Sequence, residues 1–359
     1  MKRFLYLTPY FPPQTRVGAL RPLKFARHLP THGWAPMVLA DLGPGDDVDP
    51  ALAERVPAEC QVVRDYSGRA AAAWRRLEAD GGDRASRRSA GPLRRALSRL
   101  PAPRPELLPL GEHSPRMPHA LRAARRLLDR RPCEAIVVNA DPYAACLVGR
   151  RLGRELGLPV IHDLRDPWAL CDLRRPRRPA PQRRLVDWLE RRCVEDCARF
   201  VLNTRAACEI YRAHYRDVPP ERFDFVRNHS DPELISEGRF ASGFRFTLAY
   251  MGNFRRFVEG DVLLAALAEL RRRGRGDQVR LLVTGSLPKE VRRRARRLGV
   301  EGMLEDHPHV PYRQIGAFMR AADVLVSLSP PSRMRIPAKL YDYAASPRPV
   351  VVVTDNPEV

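Results

Sequence analysis

The chain has 359 residues, a length that favours two domains over one. Hydrophobic residues make up 44% of it, which excludes a disordered tail. We expect no membrane-spanning helix, because no window approaches the roughly 18 apolar residues that one requires. The formal charge of +21 rests on arginine and fits either a genome rich in G and C or an anionic partner.

Strand and helix patterns alternate from the amino terminus onward. Residues 3–8 predict a short buried strand, residues 19–29 an amphipathic helix, and residues 35–41 a second strand. Residues 67–118 are rich in Arg, Pro, Gly and Ala and predict variable loops and helices. Further helices are predicted at 119–131, 143–156, 182–197 and 205–215, and further strands at 134–140, 159–166, 199–204 and 222–228.

A segment with few apolar residues, 229–243, predicts a linker, and the alternation then restarts. Strands are predicted at 245–253, 279–286, 323–329 and 348–355, and helices at 260–274, 288–299, 312–322 and 337–345. This order is typical of parallel α/β sheets, so we predict two doubly wound units, 1–235 and 236–359. Ligands of such sheets bind beyond the carboxyl ends of the strands.

The seven cysteines include no CxxC pair, and nothing completes a zinc site around Cys193 and Cys197. We expect reduced thiols, a cytoplasmic protein and no metal. The apolar run in the opening MKRFLYLTPYFPP is too short for a signal peptide. We also expect no nucleic-acid partner, because no helix-turn-helix, zinc finger or aromatic-rich binding strip is evident.

The stretch VIHDLRDPWAL, residues 160–170, places charged side chains at the exit of a predicted strand. Arg165 can bind a phosphate or carboxylate through two hydrogen bonds, and Asp166 can accept from sugar hydroxyls. Asp163 is a further candidate, and Trp168 offers a stacking wall. The alternative interpretation is an Arg–Asp pair that only holds the loop, with Trp168 in the core.

The whole chain resembles the GT-B glycosyltransferases of family 4, in particular the branch with a DfRDpW motif. The matching stretches are CLVGRRLGRELGLPVIHDLRDPWAL at 146–170, YFPP followed by GxxR at 10–21, and PxKLYDYxAxxRPV at 337–350. The resemblance implies two Rossmann-like domains facing a cleft. The first would be the acceptor side, and the second would bind the nucleotide sugar and be incomplete at its end.

The resemblance also implies a reaction, namely metal-independent transfer of a sugar with retention at the anomeric carbon. The donor would be a nucleoside diphosphate sugar, with no further cofactor. The acceptor would be a cell-surface glycan precursor, often lipid-linked, as in polysaccharide biosynthesis. Two alternatives stay open: a nucleotide-sugar epimerase, whose acid and base pairs are not evident, and a catalytically silent relative that acts as a binding protein.

By this resemblance, Asp163, Arg165 and Asp166 are cleft residues with catalytic roles. His162 joins them, because many relatives place a histidine at this strand exit. The donor residues are expected at the start of the first helix and at strand or helix ends of the second unit: Gly18, Arg21, Gly252, Asn253, Arg255, Arg256, Gly285, Ser286, Lys339 and Asp342.

Several positions depart from the pattern of the relatives. Asn253 stands where they often have Arg, so Arg255 and Arg256 become the candidates to supply charge. Asp342 stands where they usually have Glu, and Met334 where a second Glu often lies eight residues earlier. These departures favour the catalytically silent alternative.

The stretch RRPRRPAPQRR, residues 174–184, holds six arginines and no acidic residue. Its prolines predict a loop at the edge of the proposed acceptor cleft. Each basic residue near an anionic membrane contributes about 1 kcal/mol to binding. We therefore expect a cytoplasmic protein that can sit at the inner face of the membrane.

Overall fold

The computed structural model describes residues 1–43, 46–68, 111–140, 142–240, 246–252, 254, 258–285, 287–329 and 332–359. The chain divides into two compact units, Met1–Val226 and Arg227–Val359. The predicted boundary after residue 235 falls inside the second unit. There Pro232–Ile235 forms a short 3-10 helix that buries Leu234 and Ile235. Most of the predicted variable region, 67–118, lies outside the described residues.

The first unit is built on a seven-stranded parallel sheet in the order β3-β2-β1-β4-β5-β6-β7. Its strands are β1 (Lys2–Leu7), β2 (Trp34–Ala40), β3 (Gln61–Arg64), β4 (Ala135–Ala140), β5 (Val160–Leu164), β6 (Arg199–Leu202) and β7 (Phe223–Phe225). The helices described in this unit are α1 (Val17–His28), α2 (Pro50–Ala53), α3 (Met117–Arg130), α4 (Ala144–Leu156), α5 (Ala180–Asp196) and α6 (Arg205–His214).

The second unit has a five-stranded parallel sheet in the order β10-β9-β8-β11-β12. Its strands are β8 (Phe246–Met251), β9 (Val279–Thr284), β10 (Leu304–His307), β11 (Val324–Leu328) and β12 (Val350–Val353). Its described helices are α7 (Val258–Arg272), α8 (Lys289–Arg297), α9 (Ile315–Ala321) and α10 (Ala338–Ala344).

Both sheets are parallel and interleaved with helices, so the predicted α/β class is confirmed. The central strands are apolar on both faces, as a sheet covered by helices requires. Residues 4–7 of β1, for example, are at most 2% exposed. The carboxyl ends of parallel strands meet at one edge, which makes that edge of each sheet the place to look for ligands.

Two strands and one helix start differ from the prediction. β3 and β10 are edge strands that the sequence pattern does not reveal, because their residues QVVR and LEDH are only partly buried or exposed. The stretch 174–184 is not a loop throughout, since α5 already begins at Ala180. In the described part of the chain, no helix combines the length and apolar character needed to cross a membrane.

Candidate functional site

The first helix of the first unit begins beside the exit of β5. Gly18 is the second residue of α1, and a Cβ atom added to it would lie 3.0 Å from Cδ2 of Tyr10 and 3.3 Å from Nη1 of Arg165. The unpaired N–H groups at a helix start favour anions, and the guanidinium adds a full positive charge. The structure thus brings Gly18 and Arg165 together, as an anion site would require.

Arg21 and Asp163 are bonded to each other. Nε and Nη2 of Arg21 donate to Oδ2 and Oδ1 of Asp163 at 2.8 and 2.7 Å, and Nη2 also donates to the carbonyl oxygen of Val226 at 2.8 Å. Both residues are buried, at 4% exposure each. The geometry supports a structural role for this pair, which ties α1 to β5, and its contact with a ligand stays a prediction.

His162 does not lie at the strand exit, so that part of the prediction is wrong. It is the third residue of β5 and fully buried, with its ring 5.9 Å from the ring of Phe200. Successive residues of a strand face opposite sides of the sheet, which turns His162 away from the Arg21 contact of its neighbour Asp163. Burial lowers the pKa of His162 to about 3, and neither ring nitrogen has a hydrogen-bond partner among the described residues.

Asp166 and two arginines form a charged cluster just beyond β5. Oδ2 of Asp166 lies 3.5 Å from Nη2 of Arg174 and 3.9 Å from Nη2 of Arg165. The arginine side chains keep 22% and 35% exposure for Arg165 and Arg174, so a ligand can reach them. In the sequence, Arg174 stands out only as part of the basic stretch 174–184. Its position eight residues after Asp166 was the available signal.

Trp168 is core rather than a stacking wall for a ligand. Its side chain is 0% exposed and stacks on Tyr143, with ring centroids 5.3 Å apart and planes 2° from parallel. The predicted stacking role is therefore wrong for this structure. Of the charged residues in the motif, Arg165 keeps accessible surface, and Asp166, although only 6% exposed, lies beside it.

In the second unit, two side chains of α10 form hydrogen bonds with the end of β8. Lys339 is the second residue of α10, and its Nζ donates to the carbonyl oxygen of Met251 at 3.1 Å and lies 3.4 Å from the ring centroid of Tyr250. One turn later, Tyr343 OH accepts from the N–H of Met251 at 2.9 Å. Burial lowers the pKa of Lys339 to about 7.

Two glycines follow the ends of adjacent strands. Gly252 follows β8 with φ 98°, and Gly285 follows β9 with φ 121°. Residues other than glycine rarely adopt these angles, and a Cβ at Gly252 would meet no atom of the described residues within 4 Å. The structure therefore places Gly252 one residue beyond the carbonyl that Lys339 binds.

Asp342 faces a protein partner. It is 5% exposed, and its Oδ1 accepts from Tyr312 OH at 3.1 Å. A ribose would have to displace or share this hydrogen bond, so the predicted ribose contact gains no support from the geometry. The remaining predicted donor residues lie outside the described residues: Asn253, Arg255, Arg256 and Ser286.

A cavity of about 350 Å³ lies at the end of β10. Polar side chains on its wall come from Arg239, His307, His309 and Gln314, and Phe240 adds an aromatic ring. The sequence pattern does not reveal this cavity, because β10 is an edge strand with a weak periodic signal. Within the described ranges, no group of three or more His, Cys, Asp or Glu side chains is arranged to hold a metal ion.

Comparisons with known proteins point in one direction. The sequence profile of Glycosyltransferase Family 4 matches residues 79–234. A D-inositol 3-phosphate glycosyltransferase from Pseudarthrobacter chlorophenolicus is 26% identical over 209 residues, which cover 53% of this chain and 48% of the relative. The chain thus spans about half the length of the curated relatives that it matches.

Two solved structures share the fold over nearly the whole chain. Sucrose-phosphate synthase from Thermosynechococcus elongatus superposes with a TM-score of 0.62 at 15% identity, covering 98% of this chain and 81% of that one. A glycosyltransferase from Rickettsia africae gives a TM-score of 0.59 at 9% identity, covering 100% and 80%. The predicted GT-B fold class is confirmed, and the profile match supports the predicted family.

Proposed function

We propose that this protein is a metal-independent, retaining glycosyltransferase of the DfRDpW branch. It moves a sugar from a nucleoside diphosphate sugar to a cell-surface glycan precursor carried on a lipid. The observation that carries the proposal is the placement of the Lys339 ammonium group at the end of β8, one residue from Gly252, in a chain with a GT-B fold.

The second unit is the donor side in this proposal. The diphosphate lies by Gly252 and Gly285, where no Cβ atom keeps it from the backbone, and Lys339 supplies positive charge. As the glycosidic bond breaks, the leaving diphosphate gains negative charge, and a fixed cation stabilises the transition state. The cavity with His307 and Arg239 on its wall offers polar edges and an aromatic ring to a nucleobase.

The first unit is the acceptor side. Asp166 accepts from the acceptor hydroxyl, while Arg165 and Arg174 bind its anionic groups. The start of α1 at Gly18 adds N–H donors beside Arg165. The curated relative is named for D-inositol 3-phosphate, a phosphorylated acceptor, and a phosphate suits the same groups. A lipid-linked glycan phosphate and inositol phosphate are therefore the two acceptors to compare.

The proposal also includes reversible binding to an anionic membrane from the cytoplasmic side. Three arginines of the basic stretch are hydrogen-bonded within the protein: Arg174 donates to Tyr143, Arg175 to Asp187 and Arg178 to Trp168. The exposed arginines of the stretch are Arg177 and Arg184. On α5, Leu185 and Trp188 are also 40% and 54% exposed, and such residues favour a membrane interface.

Calorimetry with UDP, GDP and dTDP tests the donor side. We expect one of them to bind, and Lys339→Ala to weaken it by roughly 1.5–3 kcal/mol at pH 6, because a charge-assisted hydrogen bond is lost. Since the pKa of Lys339 is about 7, its charge is lost as pH rises, and the difference between the two proteins should shrink at pH 8.5. Lys2→Ala, an exposed lysine of the first unit, is the control.

Equal nucleotide affinity in wild type and Lys339→Ala at both pH values would remove Lys339 from the site. Transfer is then measured with the bound nucleotide's sugars, and the anomeric coupling constant of the product reports retention or inversion. Conversion of UDP-N-acetylglucosamine to an epimer without acceptor would favour the epimerase alternative. Nucleotide binding with no turnover of any donor would favour the silent relative.

A further inference from the structure

The turn that follows β5, residues 165–169, is held by side chains rather than by regular secondary structure. We call it the exit turn. The N–H of Trp168 donates to the hydroxyl of Tyr211 at 3.1 Å, and the N–H of Ala169 donates to Oε2 of Glu190 at 2.8 Å. Both N–H groups are buried and would be costly to leave unpaired. Two side chains from α5 and α6 therefore hold the backbone of this turn.

Glu190 is the centre of this arrangement. It is 0% exposed, and its Oε2 also accepts from Tyr211 OH, while Oε1 accepts from Tyr215 OH, each at 2.8 Å. The hydroxyl oxygen of Tyr211 accepts from the N–H of Trp168, which leaves its proton to donate to Glu190. Three donors thus converge on one carboxylate, which when ionised accepts all of them and has no proton of its own to place.

Two carbonyl groups of the exit turn accept hydrogen bonds from arginines of the basic stretch 174–184. Arg178 Nη1 donates to the carbonyl oxygen of Trp168 at 3.0 Å, and Arg175 Nη1 donates to that of Ala169 at 3.2 Å. Trp168 and Ala169 thus have both their N–H and their carbonyl groups bonded to side chains. Glu190 contacts the turn directly through the N–H of Ala169 and indirectly, through Tyr211, at the N–H of Trp168.

We propose that Glu190 is a positioning residue: its carboxylate, braced by Tyr211 and Tyr215, fixes the exit turn and thereby orients Arg165 and Asp166. The inference rests on the proposed function, in which those two side chains meet the acceptor. Glu190 itself lies behind the turn and touches neither substrate.

Hydrogen exchange of the full chain, read by mass spectrometry, tests the brace without any assumption about activity. In Glu190→Gln, one acceptor oxygen becomes an NH₂ group that faces donors. We expect exchange in peptides covering the exit turn to rise about tenfold or more, with β1 unchanged. Glu195→Gln makes the same chemical change at an exposed position of α5 and should leave both segments unchanged.

Kinetics test the orientation. In Glu190→Gln we expect kcat to fall and KM for the acceptor to rise, each severalfold, while nucleotide affinity stays at the wild-type value. A purely structural defect would instead lower the active fraction and leave both KM values unchanged. Unchanged exchange in the exit turn, or faster exchange with wild-type transfer kinetics, would overturn the proposal.

Two further outcomes are also decisive. If the wild type transfers no sugar, the proposed function fails, but the exchange measurement still supports or overturns the brace. If Glu190→Gln does not fold, Tyr211→Phe replaces it, because this change removes the acceptor of the Trp168 N–H and keeps the ring. Unchanged exchange of the exit turn in Tyr211→Phe would overturn the inference.

Discussion

At the scale of single residues, the bonded partner separates charged side chains that look alike in the sequence and are similarly buried. Asp163 and Asp166 are three residues apart, yet the first is paired with Arg21 inside the unit, and the second lies beyond the strand between Arg165 and Arg174. A buried guanidinium and carboxylate satisfy each other, whereas the cluster around Asp166 keeps exposed donors. Only the second arrangement is open to a ligand.

His162 should make stability depend on pH. Its folded pKa of about 3 lies below the ordinary 6.5, so the unfolded chain binds the proton first as pH falls. The stability that depends on neutral His162 is complete above pH 6.5 and is lost progressively toward pH 3. His162→Leu removes this titration and the two ring nitrogens, which have no hydrogen-bond partner in the described ranges.

The measurement is urea unfolding of both proteins at pH 7.5 and pH 5. The free-energy advantage of His162→Leu over wild type should grow by about 2 kcal/mol at the lower pH, from about 1.4 kcal/mol per pH unit. Glu190, whose pKa burial raises to about 7, titrates in both proteins and cancels in the difference. An advantage that is the same at both pH values would show that His162 is not held neutral.

At the scale of elements, α4 packs on the sheet at a distance that only glycine permits. A Cβ atom on Gly149 would overlap Cγ2 of Val138, and one on Gly153 would overlap Cγ2 of Val160. Val160 begins β5, so this contact sets where the strand and its exit turn lie. The packing of α4 against the sheet therefore affects the strand that ends at the candidate site.

Gly153→Ala should therefore destabilise the protein, although alanine is the better helix former by about 1 kcal/mol. Overpacking against Val160 costs roughly 1–3 kcal/mol, and we expect a net loss in thermal or urea unfolding. Gly302→Ala is the matched control, because a Cβ there would meet nothing within 4 Å. A Gly153→Ala variant as stable as the wild type would mean that α4 can move away without cost.

At the scale of the whole molecule, less of the charge of +21 is available to attract an anionic partner than the composition suggests. At the end of α7, Glu269 pairs with Arg272 and Arg273, and Glu301, which follows α8, pairs with Arg296 of that helix. Such exposed pairs stabilise little but lower the local field. The six arginines of 174–184 likewise leave Arg177 and Arg184 as the exposed pair.

Liposome flotation tests the membrane proposal. At low salt the wild type should float with vesicles containing anionic lipid and not with neutral ones. Arg177→Ser with Arg184→Ser should weaken binding by about 2 kcal/mol, or roughly 30-fold, at about 1 kcal/mol per charge. Arg293→Ser with Arg297→Ser, the same charge change on α8, is the control. Equal flotation of all three proteins, or none at low salt, would contradict the proposal.

The sequence by itself determined the α/β alternation, the two units and the placement of Arg165, Asp166 and Lys339 at strand or helix ends. These features follow from local periodicity and from the rule that ligands lie beyond the carboxyl ends of parallel strands. The edge strands β3 and β10 could not be predicted, because a half-buried strand carries a weak periodic signal.

Only the tertiary structure decided which polar groups meet. Arg21 and Asp163 are 142 residues apart in the chain, and Glu190 reaches the backbone of Ala169 across 21 residues. A carboxylate has the same local sequence whether it binds a ligand, an arginine or a buried amide. Its partner is set by which segments pack against it, and burial then makes an unpaired alternative costly.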